Sequence, residues 1–548
     1  MVRSSIKPRL LACLAVLGLC LLTTLIYRPA WHGAFIWDDD QYVTHNHLLT
    51  APDGLRRIWF SLDAPSQYFP LAYTILRIER AFWGLNPTGY HWVNILFHLG
   101  NALLVWCILA RLKVPGAWLA GAIFALHPVQ VESVAWISEL KNVLMGFFFL
   151  LTLLAWVEYV DATRKHRSIL YVAALVFYLL ALSAKSTACT LPAALLLVLW
   201  LKRKPIGGKA LLEIVPFVVL ALGISLVAVW WEKYHQGTRM LVSVAPIDRL
   251  LIASRAVWFY LSKIFWPSNL TFIYPQWQID ATNPVAYVWL IVALAFAVVI
   301  YYGRHFFGRS VEVAALFFVT TLGPLLGFIM LYTFRYTFVA DHYQYLACLG
   351  PIALASAGLA ILGRSSRNFH WLVIAAGGTV LICLSLLTWC QSATYRDMET
   401  LWRTTIATNS SCWMAYNNLG VVQMGNGEID AAISKYEQSL ALHPDYPEAR
   451  YNLGSALLQK GRTEEAIRQC EQALNLQPND PDAHVVLGNA FMAKQDFDRA
   501  ISQYERALTL RPEDPNAHYN LGIALEEKGE TERAAREYEK ARESEPRD

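Results

Sequence analysis

"LLACLAVLGLCLLTTLIY", residues 10–27, is an apolar run of 18 residues without a charge. Its length decides the fold. A helix rises about 1.5 Å per residue, so about 20 apolar residues cross a hydrocarbon core of about 30 Å. A secretory signal would carry a shorter apolar stretch and a small-residue cleavage site, and no convincing site follows here. The run is read as a retained first membrane helix.

Runs of the same kind recur as far as residue 390 and then stop. Of the 548 residues, 55% are hydrophobic and only 16% charged, outside the usual range of a soluble chain. Spans are expected at 9–27, 88–110, 114–131, 141–159, 168–186, 187–201, 209–231, 284–303, 312–332, 342–362 and 370–390. The stretch 249–266 carries Arg249, Arg255 and Lys263 and is expected to lie in the interface as an amphipathic helix.

Lys and Arg set the orientation. Arg3, Lys7 and Arg9 place the N-terminus in the cytoplasm. Arg111/Lys113, Arg164/Lys165/Arg167, Lys202/Arg203/Lys204/Lys209, Arg304/Arg309 and Arg364/Arg367 follow on the same side if eleven segments cross. Residues 37–47, the loop after 126, and the loops 232–283 and 332–342 then share the outer face with the C-terminal part. A net charge of +4, spread over short loops, points away from a nucleic-acid partner. Seven of the nine cysteines lie in or beside apolar segments, and Cys412 and Cys470 lie in the soluble part. Their scatter fits neither a disulfide framework nor a metal site.

Beyond residue 393 a repeat takes over. "AYNNLG" at 415, "ARYNLG" at 449, "AHVVLG" at 483 and "AHYNLG" at 517 recur every 34 residues. Ala432, Ala466, Ala500 and Ala534 keep the interval, as do Pro444, Pro478, Pro512 and Pro546. That period with Leu-Gly, Ala and Pro is the tetratricopeptide pattern of stacked helix pairs. "YRDMETLWRTTIA", residues 395–407, reads as a partial leading unit. The chain is expected to be all-α: residues 1–393 a polytopic membrane domain, residues 394–548 a solenoid of four full repeats. A solenoid offers a concave groove for a protein or peptide. Asn418, Asn452 and Asn520 share one repeat position, interrupted by Val486, and are candidates to clamp a bound backbone.

Ionisable residues cluster on the outer side. "WDDDQYVTHNH", residues 37–47, sets Asp38, Asp39 and Asp40 just past the first span. "FALHPVQVESVAWISELKN" brings His127, Glu132, Glu139 and Lys141, and "LSAKSTACTLP" carries Lys185 between apolar runs. Arg335, Asp341 and His342 precede another span. Ionisable groups at membrane depth are costly and mark functional sites. An acid pair beside bases suits a lipid phosphate held by Arg335, His342, Lys141 and Lys185, with a carboxylate as general base.

The order of "WDDDQYVTHN", "YFPLAYTILRIERAFWGLNPTGYHWVNILFH", "ALHPVQVESVAWISELKNVL", "AKSTACTLPAALL" and "VADHYQYLACLG", followed by the repeats, carries a resemblance. It resembles the transmembrane and tetratricopeptide-repeat O-mannosyltransferase family of GT-C glycosyltransferases, in a bacterial form. The resemblance covers nearly the whole chain. It implies transfer of a sugar, mannose among the candidates, from a polyprenyl-phosphate donor to a protein hydroxyl, with inversion at the sugar carbon. The family's acidic pair falls on Asp38 and Asp39, with Asp40 outside the pattern. The second acid would orient the hydroxyl or hold a divalent cation. Its His-Pro and Glu fall on His127, Pro128 and Glu132 in supporting roles. Leu140 and His342 depart from the pattern, which has a basic residue and an Arg there. A bacterial inner membrane with periplasmic repeats is the expected location, an endoplasmic reticulum membrane with luminal repeats the alternative. A membrane-anchored scaffold without catalysis is the competing function, supported by the repeats alone.

Overall fold

A computed structural model describes residues 3–62, 67–236, 244–329, 332–364 and 367–544. The side chains of Arg3, Lys7, Arg9, Arg164 and Arg367, and all of Pro546, lie outside the described residues. Among the described residues every regular element is helical. The chain divides into two compact units, Met1–Leu401 and Trp402–Asp548, the division falling within the helix Met398–Thr408.

In the first unit a helix occupies each of the eleven expected segments. An apolar environment leaves backbone groups no partner but each other, so these runs close on themselves as helices. Pro87–Arg111, Ile137–Asp161, Lys165–Ala184, Gly208–Trp231, Pro284–Phe307 and Phe369–Ala393 are long and apolar enough to cross a membrane. The helix Val288–Phe307 buries none of its residues, and Ile291, Leu294 and Val298 stand exposed, as a lipid-facing surface requires.

Four expected spans are shorter as helices than their apolar runs. The 114–131 run is helical only over Ala117–Leu126, because His127 precedes Pro128 and takes extended backbone, ψ 128°. The 312–332 run stops at Leu322 before Gly323–Pro324, and 342–362 is helical from Leu349. In 187–201 a 3-10 stretch, Ser186–Thr190, precedes the helix Leu191–Leu201, with Pro192 in its first turn. Irregular backbone is tolerated at membrane depth only where protein covers it, and every residue from His127 to Glu139 is buried. Pro246–Phe265 is one 20-residue helix with charges at Asp248, Arg249, Arg255 and Lys263, and it is not among the apolar candidates.

The second unit stacks helix pairs. Trp413–Gly425 pairs with Ile429–Leu442, Pro447–Gln459 with Thr463–Leu476, Pro481–Ala493 with Phe497–Leu510, and Pro515–Glu527 with Thr531–Ser544. Pro444, Pro478 and Pro512 each follow the end of a second helix, and Pro447, Pro481 and Pro515 open the next first helix. Asp480 and Asp514 cap two of those openings, each accepting two backbone N–H bonds. Ala432, Ala466, Ala500 and Ala534 are all buried in the shared core.

The repeat glycines permit close approach of the paired helices. A Cβ at Gly420, Gly488 or Gly522 would meet the ring of Tyr436, Tyr504 or Tyr538, and one at Gly454 would meet Cys470. The contact at Gly488 would be 2.5 Å, against a Tyr504 ring that is buried and tied through its hydroxyl to Asn489 at 2.7 Å. Gly488→Ala should therefore cost the unit about 1–3 kcal/mol. Gly522→Ala should cost less, since Tyr538 is only half-buried and its hydroxyl is held by the exposed Glu526 at 2.7 Å. Residues 402–548 expressed alone should be soluble and helical by circular dichroism, and their thermal unfolding compares the two variants. Equal losses would show that ring mobility does not set the cost.

Candidate active site

After the first helix the chain turns sharply at Trp37, whose φ of 48° is a left-handed conformation that a bulky residue adopts at a cost. The turn sends successive side chains apart. Asp39 goes inward and is fully buried, its Oδ2 accepting the Ile36 N–H at 2.8 Å and its Oδ1 the Ser138 N–H at 2.8 Å. Asp40 is exposed and accepts the Thr44 hydroxyl at 3.0 Å. Asp38 is half-buried, and its carboxylate makes no hydrogen bond or ion pair among the described residues. It lines a cavity of about 160 Å³.

That cavity draws its walls from distant parts of the chain. Trp136, Glu139, Lys141, Lys185 and His342 line it together with Asp38, and Gln67, Tyr68, Phe69 and Thr333 are among the other residues of its wall. Glu139 is buried and bridges two cations: Lys141 Nζ lies 3.1 Å from Oε1 and Lys185 Nζ 3.2 Å from Oε2. The Lys141 ammonium also donates to the Tyr42 hydroxyl at 3.3 Å and stands 4.4 Å from the Tyr42 ring centroid. Two lysines with one shared carboxylate leave one positive charge beside Asp38.

A second arrangement supports the wall. Glu132 takes His342 twice, its Oε1 lying 3.0 Å from Nδ1 and its Oε2 accepting the His342 N–H at 2.9 Å. Asn142 ties Ser133 to the His342 carbonyl, donating at 2.8 Å to each. Tyr274 donates to the buried Asp341 at 3.1 Å. His127 lies off the cavity: Nε2 meets the Ile264 carbonyl at 2.8 Å and Nδ1 accepts the Val129 N–H, which fastens the helix Pro246–Phe265 to the turn.

Burial raises the acids of the loop. Asp38 is pushed up to about 6 by desolvation, against the pull of the Lys141 ammonium. Asp39 is pushed up to about 7 by the same cause, opposed by the Ile36 and Ser138 N–H bonds. Asp341 is raised by burial and then by the neighbouring Glu132 charge.

Of the residues expected from sequence, the structure brings Asp38, Lys141, Lys185 and His342 to one cavity, with Glu132 behind His342. Arg335 does not line it, and its guanidinium lies 5.0 Å over the Tyr336 ring. Asp39, expected beside the reacting groups, accepts the Ile36 and Ser138 N–H bonds and does not line this cavity. No group of three or more His, Cys, Asp or Glu side chains suited to a metal ion occurs among the described residues. In the repeats, Asn452 donates to Asn417 and Asn520 to Asn489, bonds that run between neighbouring repeats. Asn418 accepts from Asn417, and its Nδ2 has no partner among the described residues. Asn452 and Asn520 thus each give one amide bond to the stack.

Sequence reasoning noted Glu139 only as part of a polar cluster, although its spacing of two from Lys141 was a usable signal. Trp136 and Tyr42 were missed. Both are aromatic residues inside quoted motifs, where membrane-interface belts explain most such residues.

Models of the tetratricopeptide repeat match residues 423–489 and 515–548, and a TPR repeat model matches 488–529. Mouse (Mus musculus) protein O-mannosyl-transferase TMTC4 is 25% identical over 486 residues, 76% of this chain and 64% of its own. Caenorhabditis elegans protein O-mannosyl-transferase F38B6.6 is 24% identical over 457 residues, 78% of this chain and 62% of its own. Protein O-mannosyl-transferase tmtc2 of Xenopus laevis is 30% identical over 149 residues, 25% of this chain and 18% of its own. The chain spans less than two thirds of the length of each of these curated relatives.

Proposed function

From the premise that this chain is of the transmembrane and tetratricopeptide-repeat O-mannosyl-transferase type, we propose that it is an integral membrane glycosyltransferase acting on a protein hydroxyl. The observation that carries the reading is one cavity in which Asp38, a carboxylate without a hydrogen-bond or ion-pair partner among the described residues, faces a lysine pair sharing Glu139. The donor is a polyprenyl-phosphate sugar, and mannose is the sugar to which the relatives' names point. Lys141, Lys185 and His342 hold its phosphate. The acceptor oxygen attacks the sugar carbon, the bond from that carbon to the phosphate oxygen breaks, and Asp38 takes the acceptor proton. Asp39 is a positioning residue: it pins the loop to Ser138 so that Asp38 stays in the cavity. The repeats present the acceptor, and cavity and repeats face the outer side of a bacterial inner membrane.

The test is a transfer assay with purified full-length protein, an acceptor peptide and a panel of polyprenyl-phosphate sugars. Transfer from one of them supports the enzyme. Peptide binding without transfer from any donor supports the second reading, a scaffold, which the intact repeat unit favours.

A further inference from the structure

A second and larger cavity, of about 540 Å³, lies at the other end of the helical bundle. Lys141 and Leu153 sit on one helix, and Leu153 lines this cavity, so the two sites are about 18 Å apart along that axis. Leu109, Val198, Phe307, Phe317 and Ala357 contribute to walls that are apolar apart from Lys113 and Ser310. Such a volume in a membrane protein is filled by hydrocarbon, because water there would find almost no polar partner.

The mouth carries the informative charges. The helix Pro87–Arg111 ends in a turn where the Lys113 N–H reaches the Ala110 carbonyl and the Val114 N–H the Leu109 carbonyl. Leu191–Leu201 ends identically, with Arg203 bonded to Trp200 and Lys204 to Leu199. In both turns the closing residue is left-handed, at φ 58° for Lys113 and 55° for Arg203, where glycine is the usual choice. Backbone geometry does not select a cation for that position. Helix-dipole capping does not require one either, since Arg111 and Lys202 already stand at those ends.

The neighbouring cations are engaged. Arg111 pairs with Glu158, Lys202 with Asp161, and Arg309 lies 4.3 Å over the Trp200 ring. The exposed side chains of Lys113 and Arg203 have no ion pair or hydrogen bond among the described residues. An apolar slot with one uncommitted cation, Lys113, on its wall and a second, Arg203, two residues beyond the lining residue Leu201 matches an acyl chain carrying an anionic headgroup. We propose that this cavity seats the chain of an anionic phospholipid, with the headgroup phosphate against Lys113 and Arg203. The inference is independent of the transferase reading.

The test uses the full-length protein in detergent, with phosphatidylglycerol or phosphatidylcholine added. Lipid retained is counted by native mass spectrometry, and the thermal midpoint is followed in parallel. Wild-type protein should retain phosphatidylglycerol preferentially and be stabilised by it. Each cation near the surface is worth about five-fold toward an anionic lipid, so K113Q/R203Q should lose about 25-fold of that preference. Ala357→Phe, which fills the slot, should lower retention of both lipids. Should that variant fail to fold, the double charge variant still decides. An unchanged preference in K113Q/R203Q would overturn the proposal, as would full stabilisation by glycerol 3-phosphate alone, since no chain would then be needed.

Discussion

Asp38→Asn should lower sugar transfer by about 10²–10⁴-fold, the usual worth of a general base, with donor binding nearly unchanged. Asn keeps the shape of the side chain, and the lysine pair proposed to meet the phosphate is untouched. The pH profile carries the sharper signature. The base works only when ionised, and burial raises Asp38 to about 6, so transfer should rise with pH through about 6 and then level off. Asp38→Asn should lose that limb along with the rate. Asp39→Asn should keep it. An amide at residue 39 retains one acceptor and turns an NH2 toward a backbone N–H that Asp39 now satisfies, so the loop loosens while the base survives. Equal loss of the limb in both variants would place the base on neither residue alone. Full activity in Asp38→Asn would remove it from the reaction.

Glu139→Gln should be the most destabilising single change around the cavity. Removing the shared charge leaves two buried ammonium groups 3.1 and 3.2 Å from a neutral side chain. Breaking one partner of a buried ion pair typically costs about 3–5 kcal/mol, because the remaining charge stays in the low-dielectric interior. The check is the thermal midpoint of the purified protein in detergent. E139Q/K185Q should recover part of the loss, since one of the stranded charges is gone. A midpoint unchanged by Glu139→Gln would mean that water or lipid headgroups already screen the lysines.

Periodicity made most of the fold legible. The interval from "AYNNLG" to "ARYNLG" fixes the helix pairs without reference to anything distant. Apolar length placed the eleven helical segments for the same reason. Length alone does not separate helix from buried extended backbone, so the run 114–131 read as one span although Pro128 marked the break. The site was legible as a set of residue types, because charges beside apolar runs are rare enough to stand out. Their division of labour was not. Asp38 and Asp39 are adjacent and identical, and what separates them is the turn at Trp37 and the N–H of Ser138, 99 residues away. The asparagine row shows the converse. A regular spacing suggests a ligand, and what the spacing did not show is that stacking brings Asn417 and Asn489 close enough to accept a bond from Asn452 and Asn520.

Glu139 also bears on how the cavity empties. On the proposed chemistry the donor enters as a phosphodiester with one negative charge and departs as a phosphate monoester, whose second ionisation adds to that charge. Two unopposed lysines would grip the spent lipid more tightly than the fresh one, and turnover would stall on release. A carboxylate held between Lys141 and Lys185 competes with the spent phosphate for both ammonium groups. On that chemistry the residue that bridges the two lysines would also act as a built-in eluent, favouring exchange of used carrier for new.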